Sequence, residues 1–101
     1  MELGEVVNRI SKLRTRAGLS ARELSLRIGK NEAYINRLEY RKNFEPSISV
    51  INDIVEACNS SLSEFFYYNI DSYQKDREII SLLSRTNDNI KDAIIKILEN
   101  L

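Results

Sequence analysis

Residues 20–40 constrain the fold of this chain more than any other stretch, because their cap and turn residues fit one local structure. Ser20 followed by Glu23 forms the S-x-x-E capping box, which satisfies free N–H groups at the start of a helix. Gly29 predicts the end of that helix, because the residue after a helix often takes a left-handed conformation that Gly adopts easily. Asn31 then offers its side-chain oxygen as the cap of a following helix.

Apolar residues recur along both predicted helices at the spacing of a helix that is buried on one side. Leu24 and Ile28 share one face of the first helix, and Ile35 and Leu38 share one face of the second. Two helices of about 8–10 residues joined by a short turn form a helix-turn-helix unit, whose second helix often enters a DNA major groove.

The stretch resembles the helix-turn-helix of Cro and the phage repressors, also called the xenobiotic-response-element type. The residues that carry the resemblance hold the family's apolar, small, turn and acidic positions: Leu24, Ser25, Gly29, Ile35, Leu38 and Glu39. Further matches extend it over residues 1–68: Leu13-Arg14, Gly18-Leu19-Ser20, Pro46-Ser47, and Leu62 with Glu64-Phe65-Phe66. The resemblance implies an all-α, five-helix, lambda-repressor-like DNA-binding domain over residues 1–69, with its helix-turn-helix at 20–40 and its recognition helix at about 31–41.

Apolar periodicity predicts where the helices lie. The predicted helices are 2–17, 21–28, 32–41, 48–58, a short fifth helix capped by Ser61 and Glu64, 72–85, and a last helix after the turn at 86–89. Leu62, Phe65 and Phe66 are predicted to face inward from the fifth helix. Residues 70–101 are therefore expected to form a C-terminal helical hairpin.

Cysteine and histidine usage limits the chemistry that this chain can perform. Cys58 is the only cysteine and the chain has no histidine, which excludes an intrachain disulfide, a Cys/His zinc site and His-based catalysis. Cys58 lies on the apolar side of the fourth predicted helix, so we interpret it as a small buried hydrophobe. We expect no enzymatic activity, no metal and no cofactor, and no small-molecule ligand is evident.

The N-terminal Met-Glu-Leu-Gly-Glu lacks the basic start and apolar stretch of a signal peptide, and no apolar run approaches membrane-spanning length. We therefore expect a cytoplasmic protein without a membrane partner.

Charge is distributed unevenly along a chain whose formal net charge is zero. Residues 1–45 hold ten Lys/Arg and six Asp/Glu, a balance of +4, whereas residues 46–101 hold five and nine, a balance of −4. This asymmetry favours a basic, DNA-facing N-terminal half joined to an acidic half that stays away from phosphates.

The resemblance implies which residues contact double-stranded DNA. The exposed side of the third helix would meet base edges through Asn31, Glu32, Ala33, Asn36 and Arg37. Arg37 suits bidentate contact with guanine, and Glu32 suits a cytosine amino group. Phosphates would be contacted by Arg22, Lys30, Arg41 and Lys42.

The family also pairs an arginine of its first helix with a glutamate late in the recognition helix, and the matching residues are Arg14 and Glu39.

The chain departs from the family pattern at two positions. Ala21 stands where the family commonly has a phosphate-contacting glutamine, and Arg41 stands where it commonly has glycine. Asn43 is expected to supply the left-handed cap after the third helix.

The last 23 residues carry more apolar side chains than one packing contact requires. We predict a dimer interface formed by Ile79, Ile80, Leu83, Ile90, Ile94, Ile95, Ile97, Leu98 and Leu101. The alternative is that the tail folds back over the fifth helix of its own chain.

These features favour a dimeric, sequence-specific regulator of transcription, with a repressor preferred, that reads a palindromic operator through the major groove. A second hypothesis is an antitoxin or adaptor whose acidic C-terminal helices bind a partner protein.

Overall fold

A computed structural model of the protein describes residues 1–41 and 44–101. The described residues contain seven α-helices and no strand, which confirms the predicted all-α, lambda-repressor-like fold with C-terminal helices. The helices are α1 (Leu3–Arg16), α2 (Ala21–Arg27), α3 (Tyr34–Arg41), α4 (Ile48–Ala57), α5 (Leu62–Phe65), α6 (Tyr73–Leu83) and α7 (Asp88–Glu99). The chain divides into two compact parts, an N-terminal unit, Met1–Ile70, and a C-terminal unit, Asp71–Leu101.

One apolar core holds the N-terminal unit together. Every one of its five helices contributes to a cluster whose fully buried members include Ile10, Leu24, Ile35, Leu38, Ile54, Val55 and Phe65. These are the positions that the helical spacing marks as inward-facing. Cys58 joins the core at 2% exposure, and desolvation by burial raises the pKa of its thiol, so it acts as a small apolar side chain.

Caps and left-handed residues fix where the helices begin and end. Ser20 Oγ accepts from the Glu23 N–H at 3.0 Å, and the Ser20 N–H donates to Glu23 Oε1 at 3.1 Å, so the predicted capping box is confirmed. After α2, Gly29 takes a φ of +73°, and the following Lys30 N–H closes the helix end by donating to the Ser25 carbonyl at 2.9 Å. Asn59 takes a similar φ of +57° after α4; the sequence predicts that this helix ends near 58 but does not identify Asn59 as the left-handed residue.

Two sequence expectations are wrong in detail. Phe66 is 48% exposed, because it caps the four-residue α5, and successive helical residues point about 100° apart, so only Phe65 enters the core. The ring of Phe66 instead packs edge-on against Phe65 with a centroid separation of 5.0 Å. The third helix begins at Tyr34 and not at 32, because residues 31–33 form a turn in which Asn31 Oδ1 accepts from the Ala33 N–H at 2.9 Å.

Two arginines of α1 hold the end of α5. The guanidinium of Arg9 is buried and donates to the carbonyls of Phe65, Tyr67 and Tyr68 as well as to Glu5. Arg16 forms two parallel bonds of 2.8 and 2.7 Å with the buried carboxylate of Glu64. Hydrogen bonding to Glu64 raises the pKa of Arg16, against the desolvation that lowers it. Both arginines therefore belong to the framework of the N-terminal unit.

The C-terminal unit exposes most of its apolar side chains. Asn87 caps α7 by accepting from the Ile90 N–H at 3.0 Å, as the turn residues predict. No residue of α6 or α7 is buried, and Ile97, Leu98 and Leu101 are 62%, 61% and 94% exposed. Along residues 1–41 and 44–101, no helix combines the length and the apolar character that crossing a membrane requires.

Candidate nucleic-acid interface

A buried hydroxyl on α2 fixes α3 in the helix-turn-helix. Ser25 Oγ donates to the Ala21 carbonyl at 2.7 Å and accepts from the Ile35 N–H at 3.0 Å. The Ile35 N–H lies in the first turn of α3, where a helix supplies no carbonyl of its own. Because Ser25 is completely buried, this one contact satisfies a donor that water cannot reach and joins the two helices.

The other end of α3 is held by the arginine and glutamate that the resemblance pairs. Arg14 Nε and Nη2 donate to the two carboxylate oxygens of Glu39, each at 2.9 Å, and Arg14 Nη1 donates to the Leu19 carbonyl at 2.9 Å. Hydrogen bonding to Glu39 raises the pKa of Arg14, although partial burial lowers it. The structure thus brings α1, the loop before α2 and the end of α3 to one guanidinium.

Between these two attachments, α3 presents a polar face. Ile35 and Leu38 are fully buried, while Asn36, Arg37, Tyr40 and Arg41 are exposed on the opposite side. No described residue forms a hydrogen bond or ion pair with the side chain of Asn36, Arg37 or Arg41. Tyr40, at 80% exposure, is the member of this face that the sequence prediction missed, although its position three residues after Arg37 places it there.

The remaining predicted base readers lie in the turn before α3. Asn31 and Glu32 are exposed and Ala33 is partly buried. The side-chain oxygen of Asn31, Oδ1, accepts from the Ala33 N–H, so the side-chain NH₂ group of this exposed residue is the part left for a ligand. Glu32 Oε2 accepts from Arg22 Nε at 3.2 Å, so a predicted base reader and a predicted phosphate contact are paired with each other.

Two more predicted phosphate contacts are placed on this surface. Lys30 is exposed, with its Nζ 5.5 Å from the centre of the Tyr34 ring, which sets a cation beside the start of α3. Arg41 is the last residue of α3. Lys42, together with the expected left-handed cap Asn43, lies outside the described residues.

Internal ion pairs reduce the positive charge that is available to DNA. Arg9, Arg14 and Arg16 count toward the +4 balance of residues 1–45, yet each binds a carboxylate within the N-terminal unit. The exposed cations Arg27, Lys30, Arg37 and Arg41 carry no ion pair with a described residue, and all lie on the helix-turn-helix. Lys30, Arg37 and Arg41 lie in or next to α3, whereas Arg27, at the end of α2, lines a surface hollow with Asp53 and Glu56 of α4. Three uncommitted cations therefore lie close to the recognition helix.

A family model described as Helix-turn-helix matches residues 10–65. The match covers more than half of the chain and runs from the middle of α1 to the end of α5. The chain belongs to the Cro/C1-type helix-turn-helix family. Members of this family are DNA-binding regulators, so DNA is the partner that family membership assigns to this protein. Searches of characterised proteins and of solved structures returned no match.

Proposed function

We propose that this helix-turn-helix protein is a dimeric, sequence-specific transcriptional repressor that reads a palindromic operator through the major groove. The observation that carries the proposal is the exposed face of α3: its polar side chains Asn36, Arg37 and Arg41 pair with no described residue, while contacts hold the helix at both ends. Ser25 holds the first turn, and the Arg14–Glu39 pair holds the last. A rigid helix with uncommitted donors meets base edges without a large ordering cost.

Arg37 and Asn36 are the base readers that this geometry favours. Arg37 can donate two hydrogen bonds to guanine O6 and N7, and Asn36 can bond adenine N6 and N7, the pairings that discriminate bases in the major groove. Lys30, Arg41 and Arg22 flank them and would bind phosphates, which sets the register of the helix in the groove. On the resemblance alone, Lys42 is expected to join them.

Alanine variants of two arginines in α3 distinguish a residue that recognises a base from one that binds the DNA backbone. Arg37→Ala should relax the preference at one base pair per half-site, because a bidentate contact contributes about 1–3 kcal/mol of discrimination. Arg41→Ala should weaken binding to all sequences alike and leave the preferred bases unchanged. The measurement is the affinity of each variant for a selected site and for its single-base variants. An Arg37→Ala protein that keeps every base preference would refute the assignment.

The C-terminal unit supplies the dimer contact in this proposal. Its two helices expose the predicted interface residues, with only Leu83 and Ile94 partly covered. Residues 71–101 hold five Lys/Arg and six Asp/Glu, so two copies approach without strong repulsion. A two-fold contact buries the same apolar surface on both subunits. This near-neutral charge also weakens the antitoxin or adaptor hypothesis, which depends on an acidic tail.

Substitution of neighbouring residues of α7 tests this interface. Ile97→Gln places a polar group in the exposed apolar stripe, whereas Lys96→Gln alters the adjacent, polar side of the helix. We expect Ile97→Gln to shift the full-length chain toward monomer in sedimentation at tens of micromolar, and Lys96→Gln to leave the dimer intact. If the unaltered chain is a monomer under these conditions, the interface does not exist.

Repression follows from binding itself. A dimer that covers two half-sites about 34–36 Å apart excludes other proteins from the same DNA face, so a promoter containing its site would be blocked. The two-fold axis of the dimer requires that the half-sites be inverted repeats. A reporter gene placed behind such a site should lose expression when the protein is present, and a gain of expression would refute the repressor assignment.

A further inference from the structure

An ion pair spans the helix-turn-helix on the surface proposed to face DNA. Arg22 lies in the first turn of α2, and Glu32 lies in the turn just before α3. Arg22 Nε donates to Glu32 Oε2 at 3.2 Å, and both side chains are more than 60% exposed. The pair therefore connects the start of one helix to the approach of the next across open surface.

The nitrogen of Arg22 that donates to Glu32 determines which N–H groups of the guanidinium can still bind a ligand. A guanidinium carries five N–H donors, and the contact with Glu32 uses the single donor on Nε. The four donors on Nη1 and Nη2 form no hydrogen bond with a described residue. These two groups make the fork that matches two phosphate oxygens. Arg22 can thus stay bound to Glu32 while its outer edge binds the DNA backbone.

The energy of the pair is too small to explain it as a stabiliser of the fold. An exposed ion pair contributes about 0.2–1 kcal/mol, and both side chains of this pair are more than 60% exposed. Its effect on binding differs, because a free arginine side chain loses about 2 kcal/mol of rotamer entropy when it is fixed on a ligand. A guanidinium already held by Glu32 has lost part of that freedom before DNA arrives.

We infer that Glu32 acts as a positioning residue that holds Arg22 against a DNA phosphate, and that it does not read a base. This inference rests on the proposed function. It also accounts for Ala21, which has no polar group to reach the backbone at the start of α2: the contact passes to the next residue, and Glu32 orients it. A carboxylate close to DNA is tolerated here because Arg22 neutralises it.

A double-mutant cycle tests the assignment through the coupling between the two residues. The variants are Glu32→Gln, Arg22→Met and both together, with Asp53→Asn as a control that removes an exposed negative charge elsewhere on the N-terminal unit. Affinities are measured on the selected site and on its single-base variants. Loss of a negative charge alone would raise affinity equally with or without Arg22, so the cycle removes that contribution.

We expect Glu32→Gln to be about two- to five-fold less favourable for binding when Arg22 is present than when it is absent, which corresponds to part of the rotamer entropy that Glu32 removes from Arg22 before DNA binds. The base preference should stay the same at every position, and Asp53→Asn should show no coupling to Arg22. A changed preference at one base pair would show that Glu32 reads that base, and absence of coupling would show that Arg22 needs no positioning; either result overturns the inference. If the unaltered protein selects no DNA motif at all, it is the proposed function that fails.

Discussion

Ser25 occupies a position where both its size and its oxygen matter. Its hydroxyl bonds the Ala21 carbonyl and the Ile35 N–H inside the core, so one small group joins two short helices. Neither helix is long enough to be stable alone, because helices shorter than about 12 residues are marginal in water. The orientation of α3, and so of Arg37, depends on contacts of this kind.

Ser25→Ala should destabilise the protein by about 1–3 kcal/mol, because it leaves the buried Ile35 N–H without a partner. Ser63 is exposed on α5, so Ser63→Ala should change the free energy of unfolding by less than about 0.5 kcal/mol. Urea unfolding of the two variants beside the unaltered protein makes the comparison. Equal stability of the Ser25 variant would mean that this hydroxyl does not hold α3.

The sequence predicts that such positions need a small or a capping residue, but it does not predict which distant residues they contact. Ser25 stands at a family position for a small residue, and Glu64 is interpreted as part of a helix cap because Ser61 precedes it by three. In the structure Ser61 Oγ does accept from the Glu64 N–H as a cap. The Glu64 carboxylate, however, is buried and accepts hydrogen bonds from Arg16 and Ser60. A charge that is buried among distant partners carries no local signal, which is also why Arg9 counts as a surface cation in the sequence.

Helix positions follow from the sequence to within about two residues, because apolar spacing, caps and turn glycines all act locally. The predicted helices at 2–17, 21–28 and 48–58 correspond to α1, α2 and α4 with small changes at their ends. The largest difference is at α3, where the Asn31 side chain closes a turn and delays the helix to Tyr34. That turn also separates Glu32 from the regular recognition helix and places it against Arg22.

The left-handed glycine at the end of α2 predicts how glycine substitutions change stability. Gly29→Ala should destabilise the N-terminal unit by about 1–2 kcal/mol, because φ is +73° there and an L side chain strains a left-handed backbone. Gly4 lies in α1 with ordinary φ and open space where the methyl group of an alanine would lie, so Gly4→Ala should stabilise by up to about 1 kcal/mol. Thermal unfolding should therefore show shifts of opposite sign, and a rise in melting temperature for the Gly29 variant would contradict the helix-end assignment.

At the scale of the molecule, the N-terminal unit contains the DNA-binding family domain, and the C-terminal unit contains the exposed apolar faces. The net charge of the whole chain conceals this division, because it is zero while residues 1–45 carry a balance of +4 and residues 46–101 a balance of −4. The sequence predicts the surplus of apolar residues in α6 and α7 from their spacing. It does not specify whether a partner covers them, because packing between chains depends on shape and leaves no local pattern in the sequence.

Salt dependence should report the number of phosphates that a dimer neutralises. Arg22, Lys30 and Arg41 on each of two chains give six contacts, and each contributes about −0.9 to the slope of log affinity against log salt, so a slope of about −5 or steeper is expected. A slope near zero would mean that these cations do not face the DNA backbone.

Selection of bound sequences from random double-stranded DNA by the full-length chain tests the central claim most directly. The structure leads us to expect one enriched motif with two inverted half-sites, their centres one helical turn, about 10 base pairs, or a multiple of that distance apart. Within each half-site, at least one guanine should be strongly preferred where Arg37 makes its bidentate contact. Recovery of no enriched motif would contradict sequence-specific recognition by α3, and a single asymmetric half-site would contradict the two-fold dimer.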